Sequence, residues 1–245
     1  GMHPLTVTWA PFIYTDIGWK NYLNFKDSGF DNFLFFPNGR FYRKLARIAF
    51  ELKGDAWEPF GWGQKVYPFH MALRFKIPLV FYGENGEVEY GGSMKNKSKP
   101  FESPRDWEKL YYKGAGMDKV IESGIDMGIL TKQEIKNNDL TFFKMPDFKE
   151  IRKLGAQMHW WSYYHKWIPQ ENYYYSAEHT GFEANPDGRS EGTYSKYASL
   201  DDKLDGFHWY LGYIKFGLGR ASRDAQMEIR SGHITREEAV ALVKR

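Results

Sequence analysis

Apolar and polar positions along the first hundred residues switch repeatedly between the spacing of a strand and the spacing of a helix. Leu5-Thr6-Val7-Thr8-Trp9 is β-rich, and Thr15 is placed to cap a helix running to about Lys26, where Ser28-Gly29 stops it. Asp31 to Phe36 is a second apolar run, closed by Pro37-Asn38-Gly39, after which Leu45, Ile48, Ala49 and Leu52 recur at helical spacing. A third unit repeats the order. A helix from about Gln64 to Lys76 precedes Pro78-Leu79-Val80-Phe81-Tyr82, a short buried strand entering a Gly-rich turn. Strands that alternate with helices and lack strict polar alternation predict an α/β fold with a parallel sheet covered on both faces.

From Ser103 onward helices dominate. Ser103-Pro104-Arg105-Asp106, Thr131-Lys132-Gln133-Glu134 and Thr235-Arg236-Glu237-Glu238 each offer an N-cap with an acid at the third helical position. Gln157 to Tyr164 reads as one more strand, and Pro169 opens a helix ending before Thr180-Gly181. Leu200 to Gly217 reads as a long helix with Leu204, Phe207, Leu211 and Ile214 on one face. The expected organisation is an α/β half over residues 1–100 and a mostly helical continuation over residues 101–245, folded as one compact unit.

Composition narrows the function classes. The 42% hydrophobic and 27% charged content is that of a globular protein, and no apolar run approaches the roughly 20 residues that cross a bilayer. No basic region followed by an apolar stretch reads as a secretion signal, so a cytoplasmic location is expected. With no cysteine, any metal within this stretch must use oxygen or imidazole. Lys and Arg exceed Asp and Glu by 34 to 31, a net charge of +3 too mild to make nucleic acid the expected partner. The 18% aromatic content, with 9 Trp and 17 Tyr, suits stacking on sugars as well as core packing.

The chemistry concentrates after the third strand. Gly83-Glu84-Asn85-Gly86-Glu87-Val88-Glu89-Tyr90-Gly91-Gly92 sets three carboxylates and four glycines at the strand edge where ligands bind in open α/β sheets. Glycines let the backbone approach phosphate, and carboxylates hold Mg²⁺ or take a proton from an attacking amine. An acidic surface turn explains the spacing equally well. Gln64, in Gly61-Trp62-Gly63-Gln64-Lys65, sits at the same edge and is a candidate for bonding substrate or nucleotide.

The stretch from Gly83 to Gly92 resembles the Gly-Glu-Gly-Ser-Asp-Glu-x-x-Gly-Gly segment of asparagine synthetases, with Gly83, Glu84, Gly91 and Gly92 matching. A longer resemblance is to the N-acetyl sugar amidotransferase family of lipopolysaccharide or pseudaminic acid biosynthesis. It runs through Pro4-Leu5-Thr6-Val7-Thr8-Trp9-Ala10-Pro11, Ile77-Pro78-Leu79-Val80-Phe81-Tyr82-Gly83-Glu84-Asn85, Glu191-Gly192-Thr193-Tyr194, Tyr197-Ala198-Ser199-Leu200-Asp201-Asp202-Lys203 and Arg230-Ser231-Gly232-His233-Ile234-Thr235. What this resemblance implies is a Rossmann-like PP-loop ATP pyrophosphatase of the adenine nucleotide alpha hydrolase type. Such an enzyme uses ATP and Mg²⁺ to activate the oxygen of a sugar acetamido group as its AMP adduct, and ammonia from a glutaminase partner then gives an acetamidino group.

On that basis Glu84, Glu87 and Glu89 are the expected catalytic carboxylates, with Glu87 also a Mg²⁺ ligand. Gly83, Gly91, Gly92, Lys215 and Arg220 are expected to face nucleotide phosphates, and Gln64, Asn85, Tyr90 and Tyr194 the acetamido sugar or its nucleotide carrier. The family's upstream Cys-rich zinc-binding residues and Ser-Gly-Gly-x-Asp-Ser pyrophosphate loop do not occur here. The chain is therefore expected to begin inside the nucleotide domain and to turn over little or nothing alone. A homo-oligomer is compatible with this reading.

Two bland readings stand beside these. Lys215 and Arg220 also suit the dipole of a helix C-terminus, and Asp201, Asp202 and Asp205 that of a helix N-terminus. His159 and His165 fall six apart among Trp and Tyr residues and read as an aromatic edge more than a metal site. A carbohydrate-binding module without catalysis, and an RNA-modifying PP-loop relative, are the alternative functions.

Overall fold

Asn38 ends an extended run by accepting the N–H groups of Arg40 (3.1 Å) and Phe41 (3.3 Å) on its side-chain oxygen, which opens a helix. Side-chain caps of this kind open five of the described α-helices in the computed structural model, which describes residues 2–84, 98–102 and 116–244. In chain order the elements are β1 (Leu5–Trp9), α1 (Asp16–Asp27), β2 (Asp31–Phe35), α2 (Gly39–Lys53), α3 (Glu58–Phe75), β3 (Leu79–Tyr82), β4 (Phe101–Glu102), α4 (Met117–Asp126) and α5 (Lys132–Asn137). A short 3-10 turn (Thr141–Phe143) precedes α6 (Phe148–Leu154), β5 (Gln157–Trp160), α7 (Trp161–Tyr164), α8 (Pro169–Thr180), α9 (Asp205–Phe216), α10 (Arg220–Ser231) and α11 (Arg236–Val243). The fold is mixed α/β. Capping boxes open α5 at Thr131 and α11 at Thr235, as their Glu134 and Glu238 spacing predicts.

The described strands form two small sheets. β1 pairs with β2, and a second sheet has the order β3-β5-β4, with β3 parallel and β4 antiparallel to β5. Register sets Tyr82 beside Trp160 and Val80 beside Met158 on one face, where they pack with Phe69, Leu73, Ile151 and Phe148. The sequence pattern has this strand covered on both faces. Leu79, Phe81 and Phe101 are instead exposed on the opposite face, because a run with no polar alternation does not reveal which of its sides is dry. The strand expected from Gln157 to Tyr164 stops at Trp160, and a turn of helix follows, so His159 and His165 do not share one strand face.

The chain divides into two compact units. One comprises Gly1–Thr6, Ala10–Phe33 and Ile168–Arg245, the other Val7–Trp9 and Leu34–Trp167. In the second unit α3 is the central helix. Gly63 on α3 lies so close to the Trp9 ring that an added Cβ would meet it at 2.0 Å, which only glycine avoids. Trp9 also packs on Phe35 and Phe143, and its indole N–H donates to the Tyr42 hydroxyl at 3.0 Å.

In the first unit Asn21 and Glu183 exchange two 2.8 Å bonds, side-chain N–H to carbonyl and backbone N–H to side-chain oxygen, joining α1 to the segment after α8. The segment before α9 lies against the start of α1. Thr15 N–H donates to Asp201 O at 3.1 Å, and the buried Asp202 carboxylate accepts the N–H groups of Phe12 (2.5 Å) and Leu204 (2.9 Å).

Candidate active site

A proline inside α3 shapes the first candidate region. Pro68 has no N–H, so the carbonyl of Gln64, four residues earlier, loses the donor a regular helix would give it. The Tyr82 hydroxyl, at the end of β3, donates to that carbonyl instead. This bond ties the middle of α3 to the carboxyl end of the parallel pair β3-β5. Two consecutive α3 residues then reach Glu84, two residues beyond the strand. Lys65 Nζ lies 2.5 Å from Glu84 Oε2, and Gln64 Nε2 donates to Glu84 Oε1 at 3.2 Å.

Burial is unequal across the pair, with 5% of the Lys65 side chain exposed against 20% of the Glu84 side chain. The ammonium also lies 4.4 Å from the Tyr82 ring centre and 5.2 Å from that of Trp160, distances at which aromatic faces attract a cation. These are the two rings that the β3-β5 register sets side by side. The result is a carboxylate with a buried ammonium against one oxygen and an amide donor against the other, its side chain 20% exposed.

Of the residues expected at this edge, Gln64 and Glu84 come together, and Gly83 is exposed beside them. Asn85, Glu87, Glu89, Tyr90, Gly91 and Gly92 lie outside the described residues. Lys65, Pro68 and Tyr82 are additions that the sequence reading does not assign. The available signal is the four-residue offset between Gln64 and Pro68.

The second region lies in the other unit, around α9. A pocket of about 520 Å³ is lined by Glu191, Lys203, Trp209, Tyr210, Tyr213 and Arg220, among others. Its loop wall is closed by Ala221 N–H donating to Gly192 O at 3.1 Å, and Trp209 is oriented by its N–H to Ser199 Oγ at 3.1 Å. The Arg220 guanidinium stacks 4.5 Å from the Trp209 ring centre and Arg223 5.1 Å from it, while Asp224 pairs with both, at 3.3 and 3.4 Å. Arg220 belongs to the first turn of α10, not to the end of α9, so the C-terminal dipole does not explain it and Asp224 one turn on offsets its charge.

Lys215 does occupy the last turn of α9 and is exposed, with its nitrogen 5.7 Å from the Phe216 ring centre. Tyr194 is half-buried under the Arg189 guanidinium at 5.7 Å, and burial, ahead of the nearby Glu228, raises its hydroxyl pKa. The face read as Leu204, Phe207, Leu211 and Ile214 is only partly packed, since Phe207 and Ile214 are exposed along with Tyr210 and Tyr213. Beneath the pocket, Asp205 is buried at the start of α9, and loss of water raises its pKa against the opposing pull of a Ser199 hydrogen bond and Arg220.

His159 has both ring nitrogens engaged, by the Tyr164 hydroxyl at 2.6 Å and Gln157 Oε1 at 3.1 Å. Among the described residues no group of three His, Asp or Glu side chains could hold a metal ion, and no helix is long and apolar enough to cross a membrane.

No curated protein matches the chain. Residues 191–245 match a family model described as the C-terminal domain of WbpG-like LPS biosynthesis proteins. That stretch contains Tyr194, Lys215, Arg220 and the residues named above as lining the pocket, and over it this chain is similar to WbpG-like proteins of LPS biosynthesis.

Proposed function

We propose that the chain is part of an ATP-dependent amidotransferase of LPS or related surface-glycan biosynthesis, which converts a sugar N-acetyl group to an acetamidino group. The observation that carries the reading is Glu84, a carboxylate held by Lys65 and Gln64 just beyond the parallel pair β3-β5, where α/β sheets bind ligands. The similarity of residues 191–245 to WbpG-like proteins supports the pathway. A PP-loop nucleotide fold, a glutaminase partner supplying ammonia and a cytoplasmic location belong to the same proposal.

ATP supplies the adenylyl group that activates the acetamido oxygen. Glu87, proposed for Mg²⁺, and Gly91 and Gly92, proposed for phosphate, lie outside the described residues. Glu84 receives the proton released when ammonia attacks the activated carbon, and Gln64 keeps one carboxylate oxygen engaged while the other faces Lys65. Taken by itself, the α9 pocket offers the ring faces of Trp209, Tyr210 and Tyr213 and the Lys203 ammonium to a sugar with an anionic substituent.

The test supplies ATP, ammonium and acetamido sugar nucleotides to the protein and follows AMP release. Ammonium-dependent release that Glu84→Gln abolishes is the expected result, and turnover unchanged in Glu84→Gln removes the assignment. The aromatic-lined pocket favours one second reading, a carbohydrate-binding module. Calorimetry giving tight sugar binding without any ATP-dependent turnover selects it.

A further inference from the structure

Glu84 is the only acid of the Gly83–Gly92 turn among the described residues, and the cation that meets it is itself held in place. Lys65 is almost fully buried, an expensive place for an ammonium group unless a carboxylate and polarizable faces surround it. Three fixed groups do surround it here. Glu84 Oε2 lies at 2.5 Å, and the Tyr82 and Trp160 rings, locked side by side by the β3-β5 register, lie at 4.4 and 5.2 Å.

The backbone carrying Lys65 is fixed as well, because the neighbouring Gln64 carbonyl, freed by Pro68, accepts the hydroxyl of that same Tyr82. Ring, strand end and helix thus enclose the ammonium on the side away from Glu84. We propose that Lys65 is a positioning residue, an immobile cation that sets the direction of the Glu84 carboxylate and so places the group that receives the proton from ammonia. The proposal rests on the amidotransferase reading only for the chemistry that Glu84 performs. The hold of Lys65 on Glu84 stands independently of it.

Lys65→Met keeps the length and the aromatic contacts of the side chain and removes the charge, and Lys65→Arg returns the charge with a different shape. The protein is labelled with ¹³C at glutamate carboxyls and ¹⁵N at lysine Nζ, and the Glu84 signal is assigned with Glu84→Gln. A narrow Glu84 carboxyl signal is expected in the unaltered chain, displaced and broadened in Lys65→Met and largely restored in Lys65→Arg, at unchanged melting temperature in the arginine variant.

Should Lys65→Met fail to fold, the unaltered chain still decides. A slowly exchanging Lys65 ammonium signal that moves in Glu84→Gln supports the proposal, and the absence of such a signal overturns it. A Glu84 signal indifferent to Lys65→Met in a folded protein overturns it too. In the ammonia-dependent assay Lys65→Met is expected to lower kcat about a hundredfold, as misplacement of a reacting group by an ångström does, with KM for the sugar unchanged. An enzyme with no ammonia-dependent turnover before mutation counts against the functional reading alone, since the two signals still report on Lys65.

Discussion

The Glu84 region and the α9 pocket both bring charged and aromatic side chains together, yet they are assembled in opposite ways. Around Glu84 the cation is buried and the anion faces outward, with two rings locked by strand register and a helix carbonyl tied down by a tyrosine. Around α9 two arginines pair with Asp224 and stack on Trp209, while Phe207, Tyr210 and Tyr213 stand exposed. The first arrangement suits a group that must be aimed. The second suits a surface that accepts a ring through many weak contacts, none of which has to be placed within tenths of an ångström.

The sharpest way to break this contrast is to remove the buried charge pair one side at a time. Glu84→Gln takes the carboxylate from a buried ammonium and is expected to cost about 3 kcal/mol of stability in urea unfolding, while Lys65→Met combined with Glu84→Gln recovers most of it. Strict additivity of the two single changes would mean that the pair is not coupled. Tyr82→Phe leaves the Gln64 carbonyl without its donor and is expected to cost about 2 kcal/mol. Adding Pro68→Ala supplies a backbone N–H to that carbonyl, and the double variant should then be more stable than Tyr82→Phe alone.

The α9 region should respond in binding more than in stability. Trp209→Ala is expected to weaken an acetamido hexose about tenfold by calorimetry, with no change in the Glu84 signals. Equal binding by both proteins would remove the pocket from the sugar site.

The smallest expected effect separates the regions by the sign of their pH response. His70, on α3 with Gln64 and Lys65, is half-buried, and loss of water lowers its pKa from 6.5. Its neutral ring costs nothing above 6.5, and stability falls as pH drops below that value because the unfolded chain then binds the proton more readily. Asp205 is the reverse case. Burial raises its pKa from 3.8, so the folded state holds the proton more tightly, and stability falls as pH rises above 3.8 toward the folded value. His70→Gln should remove the acid-side slope and Asp205→Asn the second, measured as differences from the unaltered chain in urea unfolding at several pH values.

Much of the fold is legible in the sequence because its signals are local. Thr15, Thr131 and Thr235 cap the helices that their positions predict, and α8 runs from Pro169 to the Gly181 stop. Side chains whose role depends on distant partners are not legible in that way. Lys65 reads as one more helix residue until β3 arrives beside it, and nothing in the sequence around Trp209 announces the two arginines that stack on it. The face of α9 misled for a related reason, since its apolar spacing is the same whether a neighbour covers it or not.

The sequence by itself determined the threonine caps of α1, α5 and α11, the Pro169 and Gly181 bounds of α8, and that an acid follows the third strand, because capping groups, prolines and turn glycines act within a few residues of their own backbone. Only the tertiary structure decided that this acid meets a buried lysine and that the aromatic side chains of α9 line a pocket. Both depend on register and on burial, which are settled by contacts between segments that the chain order keeps apart.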